Sequence, residues 1–541
     1  MVETTQFFTD KTLFMTGGTG FLGKVLLERI LWQLPHIRRI FLLIRPHCAQ
    51  DVEVAAAMRA ERAIFSSPVF NRLRIHHGRR FEGLVHEKVK IVAGDVSCPD
   101  LGLPPGQIQA LGSAVDVFIN AAASVSFHER LDRAVKLNTL GPLNLLNFAK
   151  RFNHPTLLHV STAYVSGRCT GFVSEQVLQP DSAPSDHLGI SHSEPFQTER
   201  EIEKALRFAE SIESESRASA AQTDFRHAAL SELRSGYLSE VGTLNCAAEK
   251  KRQNWVRDML SREGLCRAQH FGWFDTYTFT KAMGEQLLAR YGDGVPIIIL
   301  RPSIVESSVN QPEPGWIEGY RTSSPILFGY GKGEFPDFPG KRDCIVDLIP
   351  VDFVISALLA SLTCAARTKA PKVFHVGSSS ENPLRFGQLI EYSREYFRQV
   401  PLHEDSCPIV PPHWKYRSQE DFDAWMGRRR KVLGIARALC HRLHHWQEVR
   451  RLSHKLALRQ AHLKRLETYT RLYAEYARLI CRYKTDNTRQ LFLSLHHQDQ
   501  QDFFFDPTAI HWRTYIREIH LPGVRRHVMG KAGTAAPGEG L

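Results

Sequence analysis

The chain has 541 residues, of which 43% are hydrophobic and 23% charged, with a formal net charge of +12. That length suffices for two to four domains, and the ordinary globular composition excludes a mainly disordered, collagen-like or coiled-coil protein. The N-terminus, MVETTQFFTDKTLF, lacks a basic start with an apolar core behind it, and no apolar run approaches the ~20 residues that span a bilayer. Neither export nor a membrane-spanning helix is expected. The ten cysteines form no CxxC pair, so no metal is expected and a reduced cytoplasmic setting fits.

Residues 12–16 (TLFMT) form a short apolar run followed at once by GGTGFLG and then by a helical pattern through Val25, Leu26, Leu27, Ile30 and Leu31. Gly17, Gly20 and Gly23 therefore stand between a strand and a helix. Gly17 permits the tight turn, Gly20 lets backbone approach a pyrophosphate, and Gly23 lets the helix pack closely on the strand. With Thr19, Phe21 and Leu22 they make up a candidate dinucleotide turn. The next strand, 40–44, ends in Arg45. A carboxylate there would accept from ribose hydroxyls, whereas a guanidinium pairs with a 2′-phosphate, which predicts NADPH.

Three more strands carry polar residues at their ends. Residues 89–93 lead to Gly94, Asp95 and Val96, suited to an adenine edge; 115–119 lead to Asn120, Ala121 and Ala122, where small residues let backbone lie against the cofactor; 157–160 lead to Ser161 and Thr162. Between the last two, Lys136, Asn138 and Thr139 are expected to open a helix running to about Phe152. Alternating strand and helix predicts an α/β fold, a Rossmann-type doubly wound parallel sheet, whose ligands bind at the carboxyl ends of the strands.

A long insertion precedes Asp275-Thr-Tyr277-Thr-Phe-Thr-Lys281; it is expected to be helical and flexible over about 170–270. Tyr277 and Lys281, four apart, share a helix face. A phenol with a pKa near ~10 is a poor acid at neutral pH, and a neighbouring ammonium is expected to lower it toward the working range. Thr162, with Ser161 beside it, could hold a reacting carbonyl oxygen. Arg301, Pro302 and Ser303 follow a further strand and, with Asn138, are candidate cofactor-binding residues; 372–376 is one more strand candidate.

The basic character is local. Residues 428–484 hold 16 Lys/Arg against three acids, Glu448, Glu467 and Glu475, which is essentially the whole positive excess. Leu439, Leu443, Trp446, Val449, Leu452, Leu456, Leu463 and Leu466 recur at mainly three- and four-residue steps, as one apolar helical stripe. A solvated face, an anionic membrane surface and a phosphate-rich ligand are all compatible with it. No recognition motif accompanies the charge, so nucleic acid is not expected.

The order of glycine turn, Asn-Ala-Ala, Ser-Thr, Tyr-x-x-x-Lys and Arg-Pro-Ser resembles the extended short-chain dehydrogenase/reductase superfamily. More narrowly it resembles the alcohol-forming, bacterial-type fatty acyl-CoA reductases. The stretches 16–26 (TGGTGFLGKVL), 43–46 (LIRP), 160–164 (VSTAY), 272–281 (GWFDTYTFTK), 301–305 (RPSIV), 314–318 (PGWIE), 347–352 (DLIPVD) and 506–523 (DPTAIHWRTYIREIHLPG) carry that narrower likeness.

The resemblance implies reduction of a long-chain acyl thioester to a primary alcohol with two NADPH, through an aldehyde. Thr162 and Tyr277 would hold the oxyanion, Tyr277 would donate the proton, and Lys281 would also hold the nicotinamide ribose. The proline-bearing stretch 401–412 places a boundary between a reductase domain over 8–400 and a mostly helical domain over 413–525 of the kind such reductases carry, and a tail over 526–541, ending in the small residues GKAGTAAPGEGL, is expected to be disordered. Long-chain acyl-CoA is the partner so implied, with acyl-carrier protein as another donor and peripheral contact between 428–484 and an anionic membrane as a further expectation. A reductase that stops at the aldehyde, and another extended short-chain oxidoreductase or epimerase, stand as alternatives.

Overall fold

The computed structural model describes residues 3–47, 51–111, 115–190, 192–234, 244–335, 337–364, 370–404, 406–442 and 447–530. Seven strands form one wholly parallel sheet: β1 (Thr12–Thr16), β2 (Arg39–Ile44), β3 (Val89–Ala93), β4 (Val117–Asn120), β5 (Thr156–Val160), β6 (Ile297–Pro302) and β7 (Lys372–Val376). Their spatial order is β7-β6-β5-β4-β1-β2-β3, so the chain reverses direction across the sheet between β1 and β4. In an open α/β sheet, the crevice at such a reversal is where a dinucleotide lies.

Strand residues alternate between two cores. Leu13, Met15, Leu42 and Ile119 pack with Leu26 and Ile30 of α1 (Phe21–Gln33), while Phe14, Phe118 and Leu157 pack on the other face with Leu145 and Phe148 of α2 (Gly141–Ala149). Burial on both faces explains why these strands read as continuous apolar runs. The helix expected to open at Lys136 instead begins at Leu131 and passes through a π-helical stretch, Val135–Leu140, before α2. Asn138 falls in that wider turn. Its amide donates to the Ser124 carbonyl (3.0 Å) and to Thr280 Oγ1 (3.1 Å), and its Oδ1 accepts from the Ser124 amide (2.9 Å).

The insertion contains α3 (Thr198–Arg217), α4 (Ser219–Arg234) and α5 (Leu244–His270). It leads into α6 (Thr276–Tyr291), against which α5 packs. Asp275 caps α6, accepting from the Thr278 amide at 2.8 Å. Deeper along α6, Glu285 and Arg301 of β6 form a wholly buried ion pair (2.5 Å), with Arg301 also on His375 Nε2 (3.2 Å).

The basic segment is two helices, α7 (Gln419–Arg442) and α8 (Gln447–Tyr473), and not one. Contacts from Arg430 to Glu467 and from Arg437 to Gln460 align them antiparallel. The chain turns back inside the expected stripe, so its members meet different surroundings. Leu456 and Leu466 are buried, Leu439 and Leu452 are exposed, and Leu443 and Trp446 lie outside the described residues. The C-terminal part also adds strands to what precedes it: Lys415–Arg417 pairs with Asp337–Pro339, and Ile480–Tyr483 with Thr170–Val173, both in parallel. Arg525–Met529 is helical, and residues 531–541 lie outside the described residues.

Candidate active site

Gly17 has φ +77°, and a Cβ there would lie 2.3 Å from the Ala121 carbonyl carbon. Only glycine can make this turn while touching the backbone after β4. At Gly23 a Cβ would lie 2.2 Å from the Gly17 oxygen, so α1 starts hard against the turn. Gly20 is the extended N-cap, and the first internal bond of α1 runs from the Lys24 amide to the Gly20 carbonyl (3.0 Å). The amides of Phe21, Leu22 and Gly23 precede it and face the helix end, a donor set that fits a pyrophosphate. Thr19 is partly exposed on the turn, and the Phe21 ring stacks on Trp316 (5.4 Å between centroids).

Arg45 ends β2 with an exposed guanidinium 3.8 Å from Asp95. Arg59, which sequence reasoning missed, donates to the Arg45 carbonyl (2.7 Å). Burial and then the Arg45 charge lower the Arg59 pKa. Two like charges converging at the end of β2 suit a doubly charged phosphate. Asp95 itself accepts from the amide (2.9 Å) and hydroxyl (2.8 Å) of Ser97. Val96 is buried, its carbonyl accepting from the Asn144 side chain at 3.0 Å.

Tyr277 is partly buried at the start of α6. Burial, followed by the Asp275 carboxylate, pushes its phenol up from the ordinary value, while hydrogen bonding with Thr162 pulls it down. The expected lowering by Lys281 is absent from this arrangement. Lys281 is 1% exposed, and burial holds its amine down to about 7. Its Nζ lies 2.6 Å from the Val160 carbonyl oxygen, to which it donates, and 3.2 Å from His159 Nε2. Thr162 Oγ1 accepts from the Tyr164 amide (3.4 Å) and approaches the Pro302 carbonyl at 3.5 Å. Ser161 Oγ is buried without a hydrogen-bond partner.

Glycine turn, Asn120–Ala122, Ser161, Thr162, Tyr277 and Lys281 thus converge at the carboxyl ends of β1, β4 and β5. Arg301 does not join them, because its guanidinium is committed to Glu285 and His375. Ser303, beyond the end of β6, donates its amide to the Val376 carbonyl (2.9 Å). The C-terminal part supplies residues that sequence reasoning left out. Tyr476 donates to Asp275 Oδ2 (2.6 Å), and Phe127 bridges Tyr476 (5.5 Å), Tyr473 (5.8 Å) and Tyr277 (6.2 Å). Nothing local in the sequence marks these partners, since each is over 100 residues from the group it touches.

Two family profiles, both described as "Male sterility protein", match this chain, an NAD-binding one over residues 15–358 and a second over 449–531. The chain is 33% identical over 536 residues to "Fatty acyl-CoA reductase 1" of Arabidopsis thaliana, covering 97% of this chain and 98% of that protein. It is 31% identical over 537 residues to the "Alcohol-forming fatty acyl-CoA reductase" of Simmondsia chinensis, covering 97% and 98%. Among solved structures, the terminal R domain from the myxalamid PKS-NRPS biosynthetic pathway superposes with a TM-score of 0.52 at 16% identity, over 96% of this chain and 91% of that one, a likeness of fold. Among the described residues no helix is long and apolar enough to cross a membrane.

The buried amine predicts a pH dependence of stability. A lysine at about 7 in the folded chain and 10.5 in the unfolded one binds its proton only in the unfolded chain between those values. Stability therefore rises with pH across that window and is flat below it. Urea unfolding of the ligand-free protein at about pH 7 and about pH 9.5 should show the wild type gaining on Lys281→Met as pH rises. A difference that does not change with pH would contradict this burial.

Proposed function

The chain belongs to the fatty acyl-CoA reductase family, and from that premise we propose that it reduces long-chain fatty acyl-CoA to the primary alcohol through an aldehyde, with NADPH as reductant. The observation that carries the reading is the hydrogen bonding of Tyr277 with Thr162 at the carboxyl end of β5, two strands over from the glycine turn that leads into α1. The glycine turn would hold the pyrophosphate, and Arg45 with Arg59 would pair with the 2′-phosphate that distinguishes NADPH from NADH. The bound dinucleotide would supply hydride.

In each reduction Tyr277 and Thr162 would hydrogen-bond the carbonyl oxygen and stabilise the charge that develops on it. Loss of the CoA thiolate from the first adduct leaves the aldehyde, and a second reduction, with a proton delivered by Tyr277, gives the alcohol. Lys281 would reach the nicotinamide ribose from α6. The phenol's raised pKa suits a proton donor that stays protonated at neutral pH. The outward face of α7 carries Val432, Ile435 and Leu439, all more than half exposed, beside Arg428 and Lys431. That combination supports peripheral contact with an anionic membrane.

Hexadecanoyl-CoA with NADPH should consume two NADPH per CoA released. One NADPH per CoA would indicate an aldehyde product, and none would remove the reading. Tyr277→Phe should lower kcat by ~10²–10⁴. Paired Arg45→Ala and Arg59→Ala changes should raise the KM for NADPH ~10-fold or more and leave that for NADH little changed.

For the membrane contact, the protein should co-float with vesicles containing phosphatidylglycerol, and Val432→Glu with Ile435→Glu should release it. Equal flotation of wild type and variant would reject the α7 face.

A further inference from the structure

Thr16 of β1, Asn120 of β4 and His159 of β5 stand in one register row across three neighbouring strands. All three are buried, and Lys281 closes the row from α6. The row is continuous. The Ala122 amide donates to Thr16 Oγ1 (3.3 Å), and Thr16 Oγ1 donates to Asn120 Oδ1 (2.7 Å). Asn120 Nδ2 lies 3.2 Å from His159 Nδ1, and His159 Nε2 lies 3.2 Å from Lys281 Nζ.

Donor accounting fixes the protons along this row. Asn120 Oδ1 is taken by the Thr16 hydroxyl, so its Nδ2, which can only donate, faces the ring. His159 Nδ1 must then be the acceptor nitrogen. The ring is neutral, because its complete burial holds its pKa well below the ordinary value whichever charge Lys281 carries. A neutral imidazole carries one proton, here on Nε2. Nε2–H therefore points at Lys281 Nζ, which can accept it only as a neutral amine, with an N–H of its own given to Val160.

An ammonium has no lone pair. If Lys281 takes a proton from solvent, Nε2 must accept and the single ring proton moves to Nδ1. Asn120 must then turn, with Oδ1 toward the ring and Nδ2 toward Thr16. Net uptake is one proton, carried by the lysine. We propose that His159 is a positioning residue that couples the charge of Lys281 to the orientation of the Asn120 amide, and through Thr16 to the Asn120–Ala122 loop. On the reading that this loop cradles the dinucleotide, the row lets the cofactor site and the lysine's charge set one another.

The other charged and titratable groups around Lys281 do not replace His159 in this role. Glu285, one turn along α6, favours the ammonium but is paired with Arg301 of β6, and His375 of β7 lies behind that pair. Asp275 and Tyr277, at the start of α6, are engaged with Tyr476 and Thr162 respectively.

The test is nitrogen-15 NMR of the ligand-free full chain with labelled histidine, assigned by loss of the signals in His159→Gln. The expected result is a neutral ring at every pH from about 5.5 to about 9.5 whose proton moves from Nε2 to Nδ1 as pH falls, with a midpoint near that of Lys281. Lys281→Met should leave the ring in the Nε2–H form throughout. Asn120→Asp, which can only accept, should hold it in the Nδ1–H form throughout, so that the change of tautomer with pH disappears. A ring that becomes imidazolium in this range, or keeps one tautomer throughout in the wild type, would overturn the proposal. No substrate or cofactor enters the measurement, so its failure is distinct from failure of the acyl-CoA reading.

Discussion

An amine with almost no access to solvent governs the arrangement at the rim of this sheet. Lys281 can be buried only because the Val160 carbonyl and the His159 ring receive it, and those groups stand where they do because β5 lies between β4 and β6. Burying an ammonium without such partners would cost several kcal/mol, so the fold holds the group near neutrality and supplies both a donor and an acceptor. The same helix carries Tyr277 one turn earlier. Whatever fixes α6 against the sheet therefore fixes both side chains at once.

Three separate devices do this. The Asp275 cap sets where α6 begins, the Glu285–Arg301 pair ties its middle to β6, and Asn138 with Thr280 ties it to the π-helical stretch before α2. The first device depends on the far end of the chain, since Tyr476 donates to the capping carboxylate. The strand at Ile480–Tyr483 holds that tyrosine in place by pairing beside Thr170–Val173. The C-terminal part thus belongs to the site physically. A chain made only of the dinucleotide-binding half would lack the Tyr476 hydroxyl from which the capping carboxylate accepts.

The sheet could be read from the sequence because strands buried on both faces are written as unbroken apolar runs, and because the glycine turn must have glycine where φ is +77° at Gly17. The convergence of Asn120, Thr162, Tyr277 and Lys281 could be read for the same reason, since each follows a strand or opens a helix. The partners of Arg301 were not legible, because a strand-end arginine looks alike whether it faces a ligand or a buried glutamate 16 residues away. His159 was visible as a lone polar residue in the run LLHV, but its partners lie on two other strands and a helix. The helical hairpin escaped notice because an apolar spacing of three and four continues across a reversal of the chain as readily as along one helix. The phenol's pKa was misjudged because sequence spacing gives proximity along a helix, and not where an amine on a flexible stem is drawn.

On the proposed function, the glycine turn, Thr162, Tyr277 and Lys281 serve one reacting carbonyl. A crystal structure of the full chain with NADP⁺ and a long-chain alcohol tests it most directly. The expected result is the alcohol oxygen within hydrogen-bond distance of both the Tyr277 phenol and Thr162 Oγ1, with Lys281 at the nicotinamide ribose. A nicotinamide ring seated away from Tyr277, with the alcohol bound elsewhere, would contradict it.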